Sequence, residues 1–168
     1  AKSDVQALLH GNDYTLSAAV SDAAGNPAAQ ASAALQVRLS PPDTPTINAL
    51  NSNSLSPTLG GGILKQLSAT PGMFTALESG DVFTVTVNSQ GYSLTLGSTT
   101  VSKNGPLSYD SSSKTWSLVL PTSVITTEGV YNVDVNVTAV GYSTAIKDSS
   151  SNELVIKTTP PILVINPV

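Results

Sequence analysis

The side chains of this chain best suited to chemistry are oxygen donors. Asp22 and Asn26 lie in the string DAAGNP, Asp43 in SPPDTP and Asp81 in SGDVF. Calcium takes six to eight hard oxygen ligands from carboxylates, amide and backbone carbonyls and water, so these four residues are its candidate ligands. The same residue types at turns also cap their own backbone, which gives each Asp a purely structural alternative. No DxDxDG string is present, and an EF-hand is excluded on spacing. Other chemistries lack their parts. One histidine, His10, and no cysteine leave a zinc site short of ligands. No GxSxG string accompanies that histidine, which argues against Ser-His-Asp catalysis. Gly60–Gly62 is followed by no GK[ST], so it is no phosphate loop and reads as a loop or strand break. The residues point away from an enzyme.

Aromatic residues carry little more chemistry. Trp116, the single tryptophan, alternates with Leu118 and Leu120 and reads as core rather than as a sugar-stacking platform. Tyr14 and Tyr131 start strands after a glycine, where they either pack or make a tyrosine-corner-like hydrogen bond. Tyr92, Tyr109 and Tyr142 are scattered and read as partly exposed.

The elements that must position these residues are strands. Period-2 alternation is clearest at Phe83, Val85 and Val87, at Tyr92, Leu94 and Leu96, at Trp116, Leu118 and Leu120, and from Tyr131 to Ala139 through Val133, Val135 and Val137. Leu154 and Ile156 follow. Weaker strand signals run through Thr46–Leu50 and Thr99–Tyr109; Leu55–Leu67 is ambiguous and Ser68–Glu78 reads as a loop. Residues 1–10 suggest one or two helical turns, with Val5, Leu8 and Leu9 docking on a β-core. No ten-residue stretch within residues 45–160 has helical periodicity. Seven or eight short strands in roughly 115 residues, separated by turn signals, is the count of an immunoglobulin-like sandwich. The expected fold is therefore all-β, an antiparallel Greek-key sandwich of that kind.

A self-match sets the domain plan. Tyr14–Pro42 and Tyr131–Pro161 each run strand, turn, strand and Pro-Pro, at an offset of about 118 residues, the mark of tandem modules. Residues 1–44 then read as the C-terminal part of one module plus a linker, 45–160 as a complete module, and 161–168 as the first strand of a third, with Ile162–Ile165 matching Thr46–Leu50. Tyr14, Leu16, Ala18 and Val20 form one face of the first fragment's leading strand, and Ala33–Leu39 its second strand. An isolated hairpin is marginal in water, so this fragment needs a neighbouring module or a second copy of the chain to cover it. Three prolines within Ser40–Pro45 stiffen the linker.

Composition agrees with an extracellular role. Charged residues make up 11% of the 168 residues, against roughly 25% in typical domains. The net charge is −4 and the pI about 4.6, which suits solubility or divalent cations. Seven scattered basic residues form no patch for nucleic acid. No apolar run approaches the roughly 20 residues of a membrane helix, so no membrane insertion is expected, and AKSDVQALLH lacks the pattern of a signal peptide.

The strings GNDYTLSAAVSDAAGNPA, ESGDVFTVTVNSQGYSLTL, KTWSLVLP and SNELVIKTTPP resemble, in order and spacing, the bacterial Ig-like tandem repeats of large surface adhesins, many of them secreted by type I systems. The absence of cysteine fits a bacterial exported protein, since eukaryotic secreted modules often carry disulfides. The resemblance implies a non-enzymatic extender at the cell surface, supporting adhesion or biofilm formation, with calcium at module joints. Asp43, joined by Asp22 or Asp81 and by Asn26, would then bind calcium at the first joint. The second joint departs from the pattern: AVGYS replaces DAAGN and KTTPP carries no Asp. The rival classes are a glycan- or protein-binding sandwich and the accessory sandwich of a secreted carbohydrate-active enzyme. The open edges also allow a strand-exchanged homodimer.

Overall fold

The computed structural model of the chain describes residues 13–36, 41–66 and 73–162. The expected helical turns of residues 1–10, His10 and most of Ile162–Ile165 lie outside the described residues. Within them every regular element is a strand: β1 (Asp13–Ala18), β2 (Ala31–Gln36), β3 (Leu50–Ser52), β4 (Thr58–Gly62), β5 (Lys65–Gln66), β6 (Phe74–Thr75), β7 (Val82–Val87), β8 (Gln90–Thr95), β9 (Val101–Asn104), β10 (Leu107–Asp110), β11 (Thr115–Val119), β12 (Gly129–Tyr131), β13 (Val133–Thr138), β14 (Ile146–Lys147) and β15 (Leu154–Ile156).

The period-2 stretches build the two main sheets. One has the order β4-β11-β10-β9 and the other β14-β13-β7-β8, with every pairing in both antiparallel. The first buries Leu59, Leu107, Tyr109, Trp116 and Leu118; the second buries Phe83, Val85, Val87, Val133, Val135 and Val137. These belong to one core, in which Phe83 and Tyr109 meet edge-to-face across the layers at 6.0 Å between centroids. Each such side chain contributes about 1.5–3 kcal/mol by leaving water. Trp116 is in the core as its alternation requires. Tyr109 is only 1% exposed, contrary to the expectation of partial exposure: its polar neighbours Ser108 and Asp110 fall on the other face of β10.

A third sheet, β12-β15-β3, carries the one parallel pairing among the named strands of the described residues, β15 with β3. The alternating stretch Tyr131–Ala139 does not form a single strand. It splits at Asn132, with β12 pairing β15 and β13 pairing β7. The Val133 N–H donates to Glu153 Oε2 at 2.9 Å, and the Asn152 N–H donates to Asn132 Oδ1 at 3.2 Å. Side chains thus take up backbone positions where the chain changes sheets. Tyr131 does make a corner: its hydroxyl donates to the Thr127 carbonyl at 2.9 Å.

The hairpin β1–β2 stands apart. Its register pairs Tyr14 with Leu35 and Ala18 with Ala31, and among the described residues no other strand contacts it extensively. All residues from Thr15 to Ala34 are exposed, including Leu16 and Val20 at 57% and 68%. The face expected to be buried has no cover among the described residues.

Candidate functional site

Three polar constructions mark the described residues: one on the Pro-rich segment before β3, one on the segment after β15 and one in the core between the sheets. The first is built from the Pro-rich segment that precedes β3, the expected first joint. Instead of hanging free, this segment runs along β4 and β5. Pro42 bridges to Lys65. The Gln66 N–H donates to the Pro41 carbonyl at 2.9 Å, and the Asp43 N–H to the Leu64 carbonyl at 2.8 Å. Further along, the Thr46 and Asn48 N–H groups donate to the carbonyls of Gly62 and Gly60, each at 2.9 Å. Trp116 closes the arrangement, its indole N–H donating to the Thr46 carbonyl at 3.2 Å. The triple glycine is therefore a strand and not a loop or break. A Cβ on Gly61 would lie 1.9 Å from the Thr46 carbonyl oxygen, so glycine is what lets the joint segment come this close.

After β15, at the expected second joint, the fastening is a carboxylate. Glu128 Oε1 accepts from the Thr158 N–H at 2.7 Å, from the Thr158 and Thr159 hydroxyls, each at 2.6 Å, and from the Thr159 N–H. The two threonine hydroxyls, followed by the backbone donors, hold its pKa down at about 2. These threonines immediately precede Pro160-Pro161. The single side chain of Glu128 thus pins the segment after β15 to the loop before β12.

The core construction centres on Lys65 and Asp81, both with no exposed surface. Lys65 Nζ lies 3.1 Å from Asp81 Oδ2 and 3.4 Å from Glu78 Oε2. Asp81 Oδ2 also accepts from the Glu78 N–H at 2.7 Å, and Oδ1 from the Val140 N–H at 2.8 Å. Nearby, the Tyr109 hydroxyl accepts from the Leu77 N–H at 3.1 Å and donates to the Ile63 carbonyl at 3.0 Å. Burial raises the Tyr109 pKa, with the negative charge of Asp81 adding to the effect.

The expected calcium ligands fall into separate settings. Asp22 and Asn26 bind each other: Asp22 Oδ1 accepts the N–H groups of Ala24 and Asn26 at 2.9 and 2.8 Å, and Oδ2 accepts the Asn26 side-chain amide at 2.8 Å. The Asn26 side chain, first among these donors, lowers the Asp22 pKa. This closes the β1–β2 turn, where Gly25 has φ +91°. Asp43 Oδ1 accepts the Thr44 N–H at 2.9 Å. Asp81 faces the Lys65 ammonium, a positive charge where a cation ligand would need an open side. Among the described residues no three acidic or imidazole side chains are grouped to hold a metal ion, and no helix is long and apolar enough to cross a membrane.

Sequence reasoning missed Lys65, Glu78 and Glu128. A lone lysine inside the apolar and glycine-rich run GGGILKQL was the available signal for Lys65. Nothing in TTEGVY singles out Glu128. Protein-family models, curated proteins and solved structures were compared with the chain, and none matches.

Proposed function

We propose that the chain is a non-enzymatic extender of a bacterial surface adhesin, in which folded modules are strung end to end to hold a binding domain away from the cell. The observation that supports this is the parallel pairing of β3 and β15, with Leu50 opposite Leu154, Asn51 opposite Val155 and Ser52 opposite Ile156. β3 is the first strand of the sandwich and β15 the last. Parallel neighbours make the chain arrive at one end of the sheet and leave at the other. Tension on the termini then pulls the two strands in opposite senses along their length and loads the bonds between them together, in shear. Those bonds include the Leu50 N–H to the Glu153 carbonyl at 2.7 Å and the Lys157 N–H to the Ser52 carbonyl at 2.9 Å.

The two fastened joints serve the same end. Hydrogen bonds to β4 and β5 hold the incoming prolines, and Glu128 holds the outgoing threonines, so each linker leaves the module in a fixed direction. Calcium is a further stiffener in this proposal, and Asp43, within the N-terminal joint, is its best-placed ligand; Asp81 is committed to Lys65. The exposed hairpin β1–β2 belongs to the preceding module, whose remaining strands would cover Leu16 and Val20. A strand-exchanged pair of chains is the other way to cover it, and sedimentation that changes with concentration would reveal such a pair.

The test is small-angle scattering from two complete modules in tandem, with excess calcium and with chelator. An extender gives a maximum dimension near twice that of one module in both conditions, longer or stiffer with calcium if Asp43 binds it. A compact, folded-back particle in both conditions would refute the proposal.

A further inference from the structure

Lys65 and Asp81 form an ion pair with no solvent contact, and a third carboxylate, Glu78, lies within reach. Its Oε2 is 3.4 Å from Lys65 Nζ and its side chain is 34% exposed, so it connects the buried pair to water. Two backbone N–H groups hold the two oxygens of Asp81 separately: Glu78 on Oδ2 at 2.7 Å and Val140 on Oδ1 at 2.8 Å. Once the carboxyl is protonated, the N–H on its remaining oxygen can hold the charge that develops there when the carbon is attacked, as an oxyanion hole does. The amine is held 3.1 Å from the carboxylate, which makes the encounter of nucleophile and electrophile intramolecular and already oriented.

We propose that Lys65 and Asp81 condense into an intramolecular amide, with Glu78 carrying the protons. Glu78 takes one proton from the Lys65 ammonium and passes it to an Asp81 oxygen, and the freed Nζ lone pair attacks Cγ of the now neutral carboxylic acid. The tetrahedral intermediate places its two oxygens on the N–H groups of Glu78 and Val140. Glu78 relays two protons in all from nitrogen to one of these oxygens, and that oxygen leaves as water when the C–O bond breaks. An ammonium and a carboxylate become one neutral amide and one water. Charge and atoms balance, Glu78 ends as it began, and no oxidant or activating group is needed. Burial favours the product, because a charged pair held away from water carries a desolvation penalty that a neutral amide does not.

The bond would join β5, which fastens the N-terminal joint at Pro41 and Pro42, to the start of β7 at the centre of the opposite sheet. Residues 66–80 could then not be drawn out under tension. This chemistry does not depend on the adhesin reading, and it would stand if the scattering experiment failed.

Intact-mass spectrometry of the denatured protein is the test, after circular dichroism has shown the sample folded. The expected mass is one water below that of the sequence, and fragmentation of a proteolytic digest yields a branched peptide joining Lys65 to Asp81. Lys65→Met and Asp81→Ala restore the full mass. Glu78→Gln, which keeps the fold's shape but carries no proton, also remains at full mass or loses water far more slowly. A folded wild-type protein at the full sequence mass overturns the proposal. So does a lost water that fragmentation places anywhere else, such as in a succinimide.

Discussion

Replacing Gly61 with alanine tests whether the Pro-rich segment before β3 is part of the sandwich. The new Cβ would meet the Thr46 carbonyl oxygen at 1.9 Å, the Thr46 carbonyl carbon at 2.8 Å and the Trp116 indole nitrogen at 2.8 Å. Two of these neighbours are backbone, so rotamer changes give no relief and the segment around Thr46 must move off β4. Three bonds would go: Thr46 N–H to Gly62, Asn48 N–H to Gly60 and the Trp116 indole to Thr46. At about 1 kcal/mol net for each, the loss is about 3 kcal/mol. For a module of this size that lowers the melting temperature by about 10 °C. The assay is thermal unfolding followed by the fluorescence of the single tryptophan, which loses its partner and gains water, so its emission shifts to the red before melting begins. Gly91→Ala is the control. Its Cβ meets nothing nearer than 3.8 Å, and its effect should stay within about 0.5 kcal/mol. A Gly61→Ala protein that melts with the wild type and shows unshifted emission would refute the close approach and the pinned joint with it.

Tyr109→Phe leaves the buried Leu77 N–H and Ile63 carbonyl without their partner, so denaturant unfolding should show a loss of about 2–4 kcal/mol. Glu128 has its pKa lowered from 4.5 to about 2; its contribution is complete above pH 4.5 and is lost as pH falls toward 2. The amide signals of Thr158 and Thr159 in NMR should therefore titrate in that window, and in Glu128→Gln they should not. Asp22→Ala should speed hydrogen exchange at the Ala24 and Asn26 amides, while the sandwich melts as before, because none of the hairpin's described residues belongs to the core.

What the sequence disclosed was decided by where each residue finds its partners. β7, β11 and β13 were legible because their apolar residues alternate and their inner faces are buried on one core. A turn was legible at residues 88–91 from turn-forming residues between two such runs; it is confined to Asn88–Ser89, where both residues have positive φ, and Gln90 and Gly91 already belong to β8. Gly60–Gly62 misled because glycines carry no side chains to alternate, so a strand chosen for backbone approach looks like a break. The stretch Tyr131–Ala139 looked continuous because both halves alternate in phase; the switch between sheets is imposed by Glu153, twenty residues on. The site residues were harder still. Lys65 and Asp81 are sixteen residues apart, and Glu128 and Thr158 thirty. Separations of that kind leave no periodic trace. The four oxygen-rich residues were visible as turn and linker residues; Asp22 and Asp43 accept from nearby backbone N–H groups and the Asn26 amide donates to Asp22. That Asp81 would be drawn into the core by a lysine could not be read from its neighbours.

The most direct measurement is single-molecule stretching of the chain, held by its two ends, beside the same chain with Leu50→Pro. Proline removes the N–H that Leu50 donates to Glu153 at the start of the β3–β15 pair and so cuts into the bonds loaded in shear. An extender gives a wild-type module that resists and then yields in one step, and a variant that yields at clearly lower force. Equal forces for both chains, or gradual peeling of the wild type with no peak, would contradict the claim that β3 and β15 carry tension through the module.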